Sequence, residues 1–186
     1  MTSLAVCSLL NLNRIRAFDF GIEGLVSIYD DEHFSNSDYD IIEPGVRSDI
    51  RRVLLADGWT AKGSKAYSNK GVQIKFPAPS HTLGCNPADK VLEAVGDDVI
   101  CIVTPTQALL SSIALKRWSF KRAEKLVEHH PANLSKIWNW ILNEQQDLDV
   151  TRDQIASLKE VQQKGIELRK KGEQNLYPFK KKEQNQ

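Results

Sequence analysis

The chain has three cysteines in 186 residues, Cys7, Cys85 and Cys101, and no Cys-x-x-Cys pair. An odd, scattered set argues against a disulfide framework and against a cysteine-based zinc site. It fits a reducing compartment, so a cytoplasmic location is expected. Of the four histidines, His33 and His81 are isolated and His129-His130 are adjacent, and no His/Cys/Asp/Glu cluster has zinc-ligand spacing. A Gly-x-Ser-x-Gly turn and a Gly-Lys-Ser/Thr loop are both missing, which excludes the usual serine-hydrolase and P-loop readings. The apolar opening, Met1 to Leu10, has no basic flank and is too short to cross a bilayer. Neither a signal peptide nor a membrane segment is expected. The sequence contains no internal repeat.

What is present is ordinary in amount and uneven in arrangement. Hydrophobic residues make up 41% and charged residues 26%, with net charge +1. This suits one domain with room for a real core. Residues 19–49 hold nine acids (Asp19, Glu23, Asp30, Asp31, Glu32, Asp38, Asp40, Glu43, Asp49) against one base, Arg47. Residues 159–183 hold eight bases against four acids. The chain thus has an acidic first third and a basic end.

Hydrophobic periodicity gives an order of elements. Residues 14–22 read as a strand, residues 25–32 as a short helix, and residues 38–43 as a strand ended by Pro44-Gly45. Val46, Ile50, Val53 and Leu54 then share a helical face over 46–57, with Gly58 as the stop. Residues 59–77 read as a hairpin in which Val72, Ile74 and Phe76 face the core and Gln73 and Lys75 face away. A proline-rich loop covers 77–87, a helix 88–95, and a buried strand 99–103. Thr104-Pro105-Thr106-Gln107 is a capping box opening a helix to about Trp118. Helices over 120–129, 134–142 and after about 150 complete the order. His129-His130 falls at a helix C-terminus, where histidine interacts favourably with the helix dipole. Lys116, Arg117, Lys121, Arg122 and Lys125 surround Trp118 and Phe120; a solvated helix pair with both aromatics turned inward is the expectation, with a basic, aromatic-bearing surface for a nucleic acid or nucleotide phosphates as the alternative.

One stretch points to chemistry: Ser37-Asp38-Tyr39-Asp40-Ile41-Ile42. In a strand, residues i and i+2 share a face, so Asp38 and Asp40 would stand side by side. Two parallel carboxylates repel unless a cation lies between them, and Mg²⁺ with a phosphate co-ligand is the usual occupant.

Glu23-Gly24 precedes this Ser-Asp-x-Asp run, a hairpin ends in Ile-Lys-Phe-Pro, and a strand leads into Thr-Pro-Thr-Gln-Ala-Leu-Leu. Taken in order over residues 15–145, these pieces resemble the nucleotidyltransferase superfamily of the DNA polymerase β type, in its small bacterial branch. The resemblance implies a glycine turn that holds a nucleoside triphosphate, matched by Gly24, with Glu23 replacing its first glycine. It implies a Mg²⁺ pair held by Asp38 and Asp40, the catalytic residues, with Ser37 beside the nucleotide. A third carboxylate is implied one residue before Phe76-Pro77, where this chain has Lys75. A lysine cannot bind a metal; its charge would pair with Asp38 or Asp40 or contact a phosphate.

The expected fold class is therefore α/β (α+β): a small mixed sheet with flanking helices, then a helical part. The expected division is 1–103 for the nucleotidyltransferase-like part, 104–172 for the helical part and 173–186 for a flexible basic tail. Two functions follow from the resemblance. One is Mg²⁺-dependent transfer of a nucleotidyl group from an NTP to a hydroxyl on RNA, protein or a small molecule. The other is a non-catalytic descendant that binds a nucleotide, a nucleic acid or a partner protein.

Overall fold

Short β-branched runs alternate with amphipathic helices along the chain, and in the computed structural model these become one sheet with helices on both faces. The structure describes residues 2–22, 24–29, 42, 44–63, 66–77, 89–94, 96–144 and 150–171. The elements in order are α1 (Ser3–Leu12), β1 (Ala17–Asp19), β2 (Leu25–Ile28), α2 (Pro44–Ala56), β3 (Thr60–Ala61), β4 (Ala66–Asn69), β5 (Val72–Lys75), α3 (Asp89–Ala94), β6 (Val99–Val103), α4 (Pro105–Ala114), α5 (Phe120–His129), α6 (Leu134–Glu144) and α7 (Arg152–Lys170). The sheet order is β1-β2-β6-β5-β4-β3. Strands β2, β6 and β5 run parallel at its centre, while β1, β4 and β3 complete it with antiparallel pairings.

Side chains alternate along each strand, so each strand feeds two cores. Val26 and Ile28 of β2, Ile74 of β5, and Ile100 and Ile102 of β6 join Val6, Cys7 and Leu10 of α1 and Ile50, Val53 and Leu54 of α2. On the other face, Leu25, Cys101 and Val103 join Leu109, Leu110, Leu126, Ile137, Ile155 and Leu158 from α4 to α7. The mixed sheet with flanking helices and a helical C-terminal part is the expected α+β class.

Several local expectations hold for visible physical reasons. Val72, Ile74 and Phe76 face the α1–α2 core together. The hairpin turn is the pair Lys70-Gly71, both at positive φ (48° and 88°), the geometry that two-residue hairpin loops require. Thr104 and Gln107 form the reciprocal capping box, with Pro105 at the first helical position. Ile50, Val53 and Leu54 are buried on one face of α2, which ends before Gly58 at φ +83°.

Two expectations fail. Residues 25–28 form a strand instead of opening a helix, and all four residues are buried. A short apolar run covered on both faces has no period-two signature, so it cannot be told from helix by pattern. Helix α1 was not foreseen; its ten residues carry no charge, so its amphipathic stripe is faint. The strand expected over 38–43 lies outside the described residues except for Ile42, which is buried in the α1–α2 core.

Helices α5 and α7 pack at unusually close range through Gly165, which is buried. A Cβ at this position would strike the Glu128 backbone, including its carbonyl oxygen, and a backbone neighbour cannot swing aside. Gly165→Ala should therefore destabilise the protein by roughly 2 kcal/mol, with a Tm drop of several degrees in thermal melting.

Candidate functional site

The resemblance centres on Gly24, Ser37, Asp38, Asp40 and Lys75. Ser37, Asp38 and Asp40 lie outside the described residues. Gly24 and Lys75 are both placed by the central strands. Leu25 of β2 and Lys75 of β5 sit opposite the same residue of β6, Cys101, one on each side. Gly24 is thus one residue below the row that holds Lys75, and two strand spacings, about 10 Å, separate them laterally.

Gly24 is fixed by packing. Its φ is +84°, and a Cβ there would lie 2.7 Å from the Val99 carbonyl oxygen, so only glycine lets β2 approach β6. Its N–H donates to Ser3 Oγ at 3.0 Å in a buried setting, and its carbonyl accepts from the Cys101 N–H at 2.6 Å. Both backbone groups are therefore used inside the fold.

Lys75 is half-buried and points to the face opposite Ile74, with Gln73 exposed on that same face. Its charge opposes the effect of burial on the Cys101 thiol, which is nevertheless pushed up to about 11. Cys7 is likewise pushed up to about 11, by burial and then by the charge of Asp19. Both thiols are buried and free. They stay protonated at neutral pH and are not nucleophiles. Among the described residues, Lys75 forms no ion pair, and no group of three His, Cys, Asp or Glu side chains could hold a metal. An ammonium has donors only, so Lys75 cannot complete a Mg²⁺ site. The metal ligands that the resemblance implies, Asp38 and Asp40, lie outside the described residues.

A second constellation, at the carboxyl end of β2, was not foreseen. Tyr29 follows Ile28 directly, and the Arg16 guanidinium lies over its ring at 5.2 Å from the centroid, with that of Arg169 at 5.8 Å. Arg16 Nη2 donates to the His129 carbonyl at 2.9 Å, and Arg169 Nη1 donates to the same oxygen at 2.9 Å and to that of Glu128 at 3.1 Å. Two arginines thus satisfy the last carbonyls of α5, the task expected of the histidine pair. His130 instead turns into the core, 4% exposed, with its ring 5.8 Å from Phe18 and 5.7 Å from Tyr29. Its Nδ1 is enclosed and has no hydrogen-bond partner among the described residues. Burial, and then the charges of Arg16, His129 and Arg169, hold its pKa well below the ordinary 6.5, so it is neutral. His129 is shifted down as well, mainly by burial. Residues 16, 29, 130 and 169 share no local pattern, and no sequence signal joins them.

The chain matches no protein-family model, no curated protein and no solved structure.

A neutral buried histidine makes stability depend on pH. Its folded pKa is depressed, so the unfolded chain binds more protons below about pH 6.5, and stability falls with pH from there towards the folded value. The slope is at most about 1.4 kcal/mol per pH unit for each such proton. Urea unfolding should show weaker stability at pH 5 than at pH 7.5, and His130→Phe should remove much of that difference.

Proposed function

We propose that this chain is a nucleotidyltransferase-type protein that holds a nucleoside triphosphate without transferring its nucleotidyl group. Lys75 carries this reading. It stands where the resemblance calls for the third carboxylate, half-buried on a central strand of the sheet. It has no ion-pair partner among the described residues. A cation there removes one ligand of a two-metal centre and supplies a contact for a phosphate oxygen. Both Gly24 backbone groups are committed to the fold, so in this reading the phosphate contact falls to Lys75 and not to the glycine turn.

A second reading rests on Asp38 and Asp40. The retained Asp-x-Asp pair favours Mg²⁺-dependent transfer from an NTP to a hydroxyl on RNA or protein, with both aspartates as metal ligands and Ser37 beside the nucleotide.

Calorimetry with each NTP, with Mg²⁺ or with EDTA, separates the two. Under the first reading a nucleotide binds in EDTA, and Lys75→Ala weakens binding about tenfold, the loss of one charge-assisted contact. Labelled NTP with Mg²⁺ and cell RNA or protein should then give no labelled product. Label transfer that disappears in Asp38→Ala would replace the first reading with the second. Absence of both nucleotide binding and transfer would remove both.

A further inference from the structure

We propose that the α4–α5 turn and the outer face of α5 bind the phosphate backbone of a nucleic-acid duplex. The surface stands on its own observations and does not depend on the reading of Lys75. Between residues 116 and 125 there are five cations, Lys116, Arg117, Lys121, Arg122 and Lys125, against one acid, Glu124. All five are exposed. Among the described residues none of them forms an ion pair.

The fold sets these charges around one helix. Lys116, at φ +53°, makes the turn that ends α4, and Arg117 follows it. Ala123, Leu126 and Val127 bury the inner face of α5, which leaves its outer face to the charged residues. Lys121 and Lys125 lie one helical turn apart and line a groove of about 440 Å³ against α7, where Lys164 adds a third ammonium. Glu124 and Glu128 are the acids of this groove, and Val161, Gly165 and Leu168 contribute its α7 wall. Arg122 reaches the other way: a Cβ on Gly21, in the turn between β1 and β2, would lie 3.4 Å from its Nε. The cations therefore extend from the β1–β2 turn across α5 to α7.

The aromatic residues decide which polyanion fits. Trp118 and Phe120 pack against the α4–α7 core, and the Trp118 indole N–H is enclosed. Single strands are held by stacking bases on aromatic faces beside a basic groove. Here both aromatics are half-buried against the core, and the fully exposed side chains are the cations. A duplex keeps its bases stacked inside and presents phosphates alone, so contact is through charge and carries no sequence preference.

The test is fluorescence anisotropy with labelled DNA and RNA duplexes of about 20 base pairs, in EDTA and without nucleotide, from about 50 to about 200 mM salt. Binding should weaken linearly on a log–log plot, with a slope near −0.9 per phosphate contacted on the DNA duplex. Lys121→Ala and Lys125→Ala should each reduce that slope by about one, for any duplex sequence. Lys75→Ala, on β5 and not among the five cations, should leave binding unchanged, which keeps this test separate from that of nucleotide binding. The triple variant Lys116→Glu, Lys121→Glu, Lys125→Glu should abolish binding; the single alanine variants give the same answer if the triple variant does not fold. No duplex binding at the lowest salt would overturn the proposal. So would a salt slope unmoved by both alanine variants, or binding to phosphatidylserine vesicles in place of duplexes.

Discussion

Strand β6 is the constraint on which the rest of the molecule depends. Its residues alternate between two cores, with Ile100 and Ile102 on one side and Cys101 and Val103 on the other. Both neighbouring strands run parallel to it, and parallel strands require connections that pass over a face of the sheet. The helices that cover the two faces are therefore tied to the geometry of a single five-residue strand. Gly24 lets β2 lie close enough for this, since any side chain there would meet the Val99 carbonyl. The glycine that the resemblance assigns to a nucleotide has a sufficient structural duty already.

What could be read from the sequence was whatever depends on near neighbours. The two-residue hairpin turn, the Thr104–Gln107 capping box and the single buried face of α2 each arise within a few residues. The pattern of β5 was readable because one of its faces is polar. The pattern of β2 was not, because both of its faces are covered. Helix α1 escaped because exposed Leu4 and Leu12 blur its buried stripe. The candidate site divides in the same way. Lys75 could be found by its place before Phe76-Pro77, and Ile74 was correctly turned away from it. The arginine pair on the end of α5 could not, since its members stand more than 150 residues apart in sequence and meet only through the fold.

The net charge of +1 conceals an uneven distribution. The acids gather between residues 19 and 49 in the sequence, and cations without an ion pair among the described residues gather on α5 and the turn before it. Lys75 belongs to neither stretch of sequence and is half-buried on a central strand of the sheet. Cations held in these two ways behave differently. An exposed lysine on a helix keeps its water and acts through long-range attraction, which salt screens. A half-buried lysine on a strand is less hydrated and acts at contact distance. The first suits a long polyanion and the second a single phosphate group.

The closure of α5 by Arg16 and Arg169 has a consequence for how the chain is made. During synthesis the growing chain leaves the ribosome at about 5–20 residues per second, and domains fold as units when enough chain has emerged. Arg16 emerges early, the His129 carbonyl much later, and Arg169 some forty residues after that. Until then one end of α5 is only partly capped and the groove beside it lacks its α7 wall. The groove of the basic surface is thus complete only once α7 has arrived, and a nascent chain stalled before α7 would lack its Val161, Gly165 and Leu168 wall.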